Sequence, residues 1–407
     1  MLIKIDDTVT EYIESNKQSL NFDSLEIRAL DNIAKAYQEG QHIISASLDA
    51  LEILAKLDLL ENNSRRIYHH LLNKFTFLPS YENYFGVYIL VKSNDCDFYR
   101  NDTQNDKIIY EVPLNRFSKL QATRETVLLA EDSRDCDFYE KIANKYISEN
   151  KAEINVKLNF DPLPGGGIRS YDALKRKIHR GAIVLAIADS DKSYPKDKIG
   201  ETLTKLKQVY NEYYQTSIID LHGLKVREKE NLIPPSMYSM CCNSSARDVI
   251  AKLEKIERLS EHQSKLMYID IKEGIKAKSV KNSQYQEYFR ELFEAIDLIS
   301  CSLEEAAQKE NKDVLMMGIG GKIEEFVNDY FEDGLEKKLE KKKLVVQKNN
   351  CIPEQAIKII EQEIENMEEF LVKKQNLIDH LPDYLKDEWK DLCHKIISWG
   401  CCEHTIA

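Results

Sequence analysis

A chain of 407 residues, 43% hydrophobic and 31% charged, has room for two or three domains and a sizeable buried core. It lacks any apolar run near the ~18 residues that would span a bilayer. A formal net charge of −12 excludes a protein coated in basic surface, although a local basic groove is compatible with an acidic total. Nine scattered cysteines, with adjacent pairs at Cys241/Cys242 and Cys401/Cys402, make no disulfide framework and point to a reducing cytoplasm. The opening MLIKIDDTVTEYIESN has neither the basic flank nor the apolar centre of a signal peptide.

Residues 1–75 read as helical: IRALDNIAKAYQEGQHIISASLDALEILAKL repeats its apolar residues at three- and four-residue spacing, with a break near Gly40. From 83 to 115, YFGVYILVKS and KIIYEVPL are strand-like and enclose the polar NDCDFYRNDTQND, which predicts a hairpin. Together these form an N-terminal helical and hairpin region, 1–120. Residues 121–284 alternate between the two periods. The strand TVLLA (126–130) leads to a helix from Cys136 to Ser148 and a strand EINVKLNF (153–160). The loop DPLPGGGIRS, the helix SYDALKRKIHR and the very apolar AIVLAIA (182–188) follow, then the helix IGETLTKLKQVYNEYY and the strand SIIDL. This alternation predicts an α/β domain with a parallel sheet. From 285 to 407 only amphipathic helices are predicted, with Pro353 and Pro382 each opening one.

Carboxylates gather where such a sheet would bind a ligand, at the C-terminal edges of its strands. Glu131 follows TVLLA directly, and Asp189 and Asp191 follow AIVLAIA. If the strand continues through Asp189, residues i and i+2 point the same way, and the two carboxylates converge. Glu228 and Glu230 repeat that spacing after SIIDLHGL. A lone acid after a strand is commonly a cap or turn residue. A cluster of them repels itself unless a cation compensates, and oxygen donors suit Mg²⁺ or Mn²⁺. Two such ions can clamp a phosphodiester under attack, so the pattern points to metal-dependent phosphoryl chemistry.

Glu131 after an apolar strand, a glycine loop at Gly165–Gly167, D-x-D at Asp189-Ser190-Asp191 and R-E-x-E-N at Arg227–Asn231 together resemble a TOPRIM domain. The version is that of the OLD-like nucleases, in particular the DUF4435 group of PARIS-type antiphage effectors, and the resemblance covers about 125–280. It implies a TOPRIM, Rossmann-like fold between the two flanking regions. The implied activity is a divalent-metal-dependent endonuclease that hydrolyses DNA or RNA, tRNA included, under the control of an ABC-type or AAA-type ATPase in trans. The flanking helical regions are the expected partner or homodimer surfaces, with no membrane partner. Carried over by position, Glu131 is a metal ligand or general acid/base, Asp189 and Asp191 are the D-x-D ligands, Glu230 is a further ligand with Glu228 beside it, and Asp135 matches a nearby aspartate. Lys272 falls where relatives carry a lysine near the reacting phosphate. Two departures stand out: Asp132 replaces the usual glycine after the glutamate, and Leu232-Ile233-Pro234 replaces a tyrosine after R-E-x-E-N.

The alternatives are another TOPRIM activity, for which no zinc module or tyrosine domain is recognisable, and a non-catalytic scaffold or regulatory subunit. Weaker signals complete the reading. S-x-D-C-D-F-Y occurs at both 93–99 and 133–139, but only the second copy follows a strand ending in glutamate. Arg65 and His70 have the R-x4-H spacing of HEPN ribonucleases. Cys393, His394, Cys401, Cys402 and His404 lack the paired spacing of a zinc site. The basic LEKKLEKKK (335–343) reads as a solvated helix face, and LKRKIHR (174–180) is a second basic cluster. No P-loop is present.

Overall fold

The computed structural model describes residues 1–102, 107–151, 154–241, 246–321, 323–348 and 353–403. Contacts divide the chain into two compact units. The first comprises Met1–Ala188, Glu201–Gly223 and Asp391–Ala407, and the second Asp189–Gly200 and Leu224–Lys390.

The first unit is α/β with two sheets. Its strands are β1 (Leu2–Ile5), β2 (Ile43–Ala46), β3 (Val87–Lys92), β4 (Tyr99–Asp102), β5 (Ile108–Pro113), β6 (Thr126–Ala130), β7 (Lys157–Leu158), β8 (Phe160–Pro164), β9 (Val184–Ala188) and β10 (Ile219–Gly223). One sheet has the order β2-β1-β3-β5-β4, the other β10-β9-β6-β8. A short antiparallel pair joins β7 to Cys401–Cys402.

The first sheet corrects two expectations. The stretch 1–75 is not wholly helical, because Leu2–Ile5 and Ile43–Ala46 are parallel partners. Strands of four residues show too few positions for a period of two to declare itself. Nor do YFGVYILVKS and KIIYEVPL form a hairpin: β3 and β5 run parallel, and the antiparallel partner of β5 is β4.

The second sheet is parallel throughout, as the alternation predicts. Its central strands β6 and β9 are buried at every residue, which is why their sequences are continuous apolar runs. At the edge, β8 contains Pro162 and Pro164. Proline removes a ladder donor and is tolerated where one side of a strand is unpaired, so the segment that reads as a loop is the strand. The two sheets are tied by Tyr110, whose hydroxyl donates to the Ile219 carbonyl at 2.6 Å. Arg100 adds to the tie, donating to the Tyr210 hydroxyl at 2.7 Å and lying within 5.6–5.8 Å of the Tyr110, Tyr210 and Tyr214 ring centres. Buried Asp220 is neutralised by Lys395 at 2.7 Å.

The second unit is mostly helical, with one antiparallel pair of β11 (Gly274–Lys276) and β12 (Val314–Met317). The latter corrects the expectation that no strand follows residue 285. Phe326 stacks near Tyr330, and Tyr330 meets Phe370 edge-on. The basic run 335–343 is not simply solvated. Lys343 reaches Glu368 at 2.5 Å, Lys342 pairs with Glu363, and Lys374 returns to Glu336 at 2.8 Å, so the helices Gly334–Lys348 and Glu354–Gln375 are zipped by opposite charge. Among the described residues no helix is long and apolar enough to cross a membrane.

Candidate functional site

In the first unit, β6 delivers Glu131 as the first exposed residue after five buried ones. Asp132 follows with φ −128° and ψ 158°, an extended conformation that any residue adopts, so the turn does not need the glycine seen in the resembling domains. Asp132 caps the helix Ser133–Glu149, accepting from the Arg134 amide at 3.0 Å. Asp135 completes a reciprocal capping box by accepting the Asp132 amide at 3.1 Å. The observed work of Asp135 is therefore structural: it is 4% exposed and satisfies an orphan donor at a helix start. The glycine loop wraps the end of β6. Gly165 and Gly166 donate to the carbonyls of Ala130 and Glu131 at 2.7 and 3.0 Å. Gly166 and Gly167 have φ of 73° and 63°, and a Cβ on Gly167 would sit 3.4 Å from Glu131 Oε1.

The remaining predicted residues meet in the second unit. The strand does not persist through Asp189, since β9 ends at Ala188 and Asp191 has φ 56°. The i, i+2 argument therefore fails, and hydrogen bonds bring the groups together instead. Asp189 Oδ1 accepts the Lys229 amide at 3.0 Å, fixing the turn Lys229–Leu232 that carries Glu230. The Asp191 amide donates to the Arg227 carbonyl at 2.9 Å, and the Ser190 hydroxyl to the Val226 carbonyl at 2.6 Å. The Asp191 carboxylate lies against Gly200, where an added Cβ would fall 1.8 Å from Oδ2, so only glycine leaves room for it.

Arg227 is the hub. Its Nε donates to Glu228 at 3.2 Å, one terminal nitrogen to the Ser193 hydroxyl at 2.7 Å and the other to Asp270 at 3.1 Å. Asn231 donates to the carbonyls of Leu266 and Ile269, both at 2.8 Å, and so clamps the loop bearing Asp270 and Lys272. Lys272 Nζ stands 3.7 Å from Glu230, a carboxylate that is 2% exposed. Burial, reinforced by the charge of Asp270, pushes the Glu228 carboxyl up to about 7, against the pull of Arg227. The Asp191 carboxyl is raised from its ordinary value as well, by the burial of its end against its neighbours, with Arg227 opposing and Asp270 adding.

Sequence reading missed Asp270 and the linking position of Arg227 between Glu228, Ser193 and Asp270. The only available cue was that Asp270 stands two residues before Lys272 in DIKEGIK.

Among the described residues no three His, Cys, Asp or Glu side chains are grouped so as to hold a metal ion. In chemistry the donors suit a hard divalent cation, since Asp189, Asp191, Glu228 and Glu230 offer only oxygen. Arg227 and Lys272 offset part of their charge, and the raised Glu228 carboxyl offsets more of it by holding a proton to near neutral pH.

The other signals do not converge. Arg65 binds Asp58 at 3.0 Å, whereas His70 lies beside Tyr37; five residues on a helix separate side chains by about 140°. Cys393 is buried with its thiol pushed up by that burial, His394 meets the Tyr146 hydroxyl at 3.0 Å, and His404 lies outside the described residues. No protein-family model, no curated protein and no solved structure matches this chain.

Proposed function

We propose that this chain is a divalent-metal-dependent nuclease with a TOPRIM-type centre, cutting phosphodiester bonds in DNA or RNA, tRNA included. In this reading it is the effector of a bacterial antiphage system, works in the cytoplasm and is restrained by an ATPase supplied in trans. The observation that carries the reading is the joining of D-x-D to R-E-x-E-N: Asp189 accepts from Lys229, Asp191 donates to Arg227, and Arg227 grips Glu228. Motifs nearly forty residues apart share one hydrogen-bonded cluster, whereas caps and turn residues would each serve only their own loop.

Asp189, Asp191, Glu228 and Glu230 would hold Mg²⁺ or Mn²⁺. When bound, the ion would polarise the phosphodiester and lower the pKa of an attacking water. Lys272, whose ammonium reaches the cluster from its exposed side, would offset negative charge growing on the phosphate. Glu228, with a carboxyl near neutrality, is able to accept or release a proton at working pH. Glu131 keeps the role that the resemblance assigns it, metal ligand or general acid/base, and Asp135 fixes the turn that presents it.

A second reading, a non-catalytic scaffold of the same fold that binds the ATPase or nucleic acid, draws support from the pairing of Arg227 with Glu228 and of Lys272 with Glu230, which offsets part of the carboxylate charge from within the chain. The two separate in one experiment. Parent protein and Asp189→Ala are incubated with plasmid DNA and total tRNA in Mg²⁺, Mn²⁺ or EDTA, with and without the ATPase encoded beside it. Metal-dependent cleavage by the parent alone supports the nuclease; no cleavage in any arm supports the scaffold.

A further inference from the structure

In a chain whose lysines and arginines are so often matched to carboxylates, one basic stripe is not. The helix Ser170–His179 is flanked by Arg169 and Arg180, both with helical backbone angles. Arg169, Arg176 and Arg180 then fall within about 40° of one another around its axis, and all three are exposed. None has a carboxylate partner among the described residues. The only contact recorded for their guanidinium groups is Arg176 Nε donating to the Asp172 carbonyl at 3.2 Å. Their neighbours are matched: Lys175 pairs with Glu212 at 3.0 Å, Lys177 with Asp161 at 2.7 Å and Lys205 with Glu201 at 2.9 Å. Asp172 is the one acid on the stripe, which leaves it net positive in a protein of net charge −12.

The stripe also has a direction. It begins at the glycine loop, where Gly166 donates to the Glu131 carbonyl and Gly167 faces the Glu131 carboxylate, and runs about 16 Å away along the helix at 1.5 Å per residue. An aromatic ring lies at its flank, where Tyr213 meets His179 edge-on at 5.6 Å. Exposed arginines left without carboxylates are suited to the forked recognition of phosphate, and rings beside a basic track suit single-stranded nucleic acid.

We propose that Arg169, Arg176 and Arg180 form a track for the sugar-phosphate backbone of a nucleic acid, leading away from Glu131. The choice of a phosphodiester chain as occupant rests on the nuclease reading.

The test is binding in EDTA, where metal-dependent cleavage is silent. Anisotropy of a labelled single strand, its duplex and an RNA hairpin is followed over a salt series for the full chain and for the triple variant Arg169→Gln/Arg176→Gln/Arg180→Gln. Arg258→Gln, on an exposed helix where Arg258 pairs with Glu254, is the control. Three lost phosphate contacts flatten the slope of log K against log salt by about 2 to 3 and weaken low-salt binding at least about tenfold. The control leaves both unchanged, and all variants melt with the parent. Equal affinity and slope for parent and triple variant would overturn the track, as would a parent that binds none of the probes. Cleavage assays in Mn²⁺, with and without the ATPase encoded beside it, run beside these: a parent that binds through the stripe but cuts in neither arm refutes the nuclease reading alone, and a triple variant that binds and cuts like the parent refutes the track alone.

Discussion

Replacing Glu228 by Gln tests whether the cluster in the second unit is strained by its own charge. The folded-state carboxyl lies at about 7 against an ordinary 4.5. The folded protein thus keeps a proton that the unfolded chain releases, and stability falls as pH rises from about 4.5 to about 7. The deficit is complete above that window and absent below it, and the gap corresponds to about 3 kcal/mol. Glutamine never ionises, and exchanging a carboxyl oxygen for an amide nitrogen that cannot accept from its neighbours costs about 1 kcal/mol at every pH. Melting curves without metal should therefore show the variant equal to or slightly below the parent in acid. At alkaline pH it should lie above the parent by roughly 4–8 °C, taking about 2 kcal/mol net and 2–4 °C per kcal/mol for a unit of 150–250 residues. Adding Mn²⁺ should raise the parent more than the variant, because only the parent has the fourth carboxylate to offer. Parallel melting-versus-pH curves for the two proteins would refute the charge argument.

Gly200→Ala should push the Asp191 carboxylate aside and weaken Mn²⁺ binding by about tenfold or more, read by calorimetry, with little change in the melting of the first unit. Lys395→Met strands the buried Asp220 and should cost about 3–5 kcal/mol; adding Asp220→Asn should restore most of it in denaturant titrations. Arg65→Ala and His70→Ala should leave any RNA cleavage unchanged, because the two side chains serve different partners; a loss with both would revive a second ribonuclease centre.

The second sheet was legible in the sequence because β6 and β9 are buried on both faces, so TVLLA and VLAIA announce themselves. The edge strand β8 was not, since its prolines read as a loop until its position at the sheet edge is known. The first sheet was hidden for a different reason: four-residue strands separated by long helices leave their pairing to contacts that no local window contains. Acidic spacing singled out Asp189, Asp191, Glu228 and Glu230, but the strand alternation expected to make Asp189 and Asp191 converge stops at Ala188. Backbone and guanidinium bonds around a left-handed Asp191 and Arg227 tie the two motifs together instead. Asp270 could not be found by motif, because it enters through a loop that Asn231 and Arg227 bring near from roughly forty residues away in sequence. Asp135, assigned to the metal by resemblance, is occupied in a cap that its spacing from Asp132 could have announced.

The order in which the segments occur along the chain has a consequence for synthesis. The sheet-bearing unit includes Asp391–Ala407, and Thr126 of β6 donates to the carbonyl of Trp399 at 2.7 Å. A ribosome therefore makes all of the second unit, which ends at Lys390, before it supplies Asp391–Ala407 of the first. Chains released early lack the partner of Asp220 and the anchor of β6, and they meet proteases without a finished core. The carboxylate cluster of the second unit is thus synthesised whole before β6 receives its anchor.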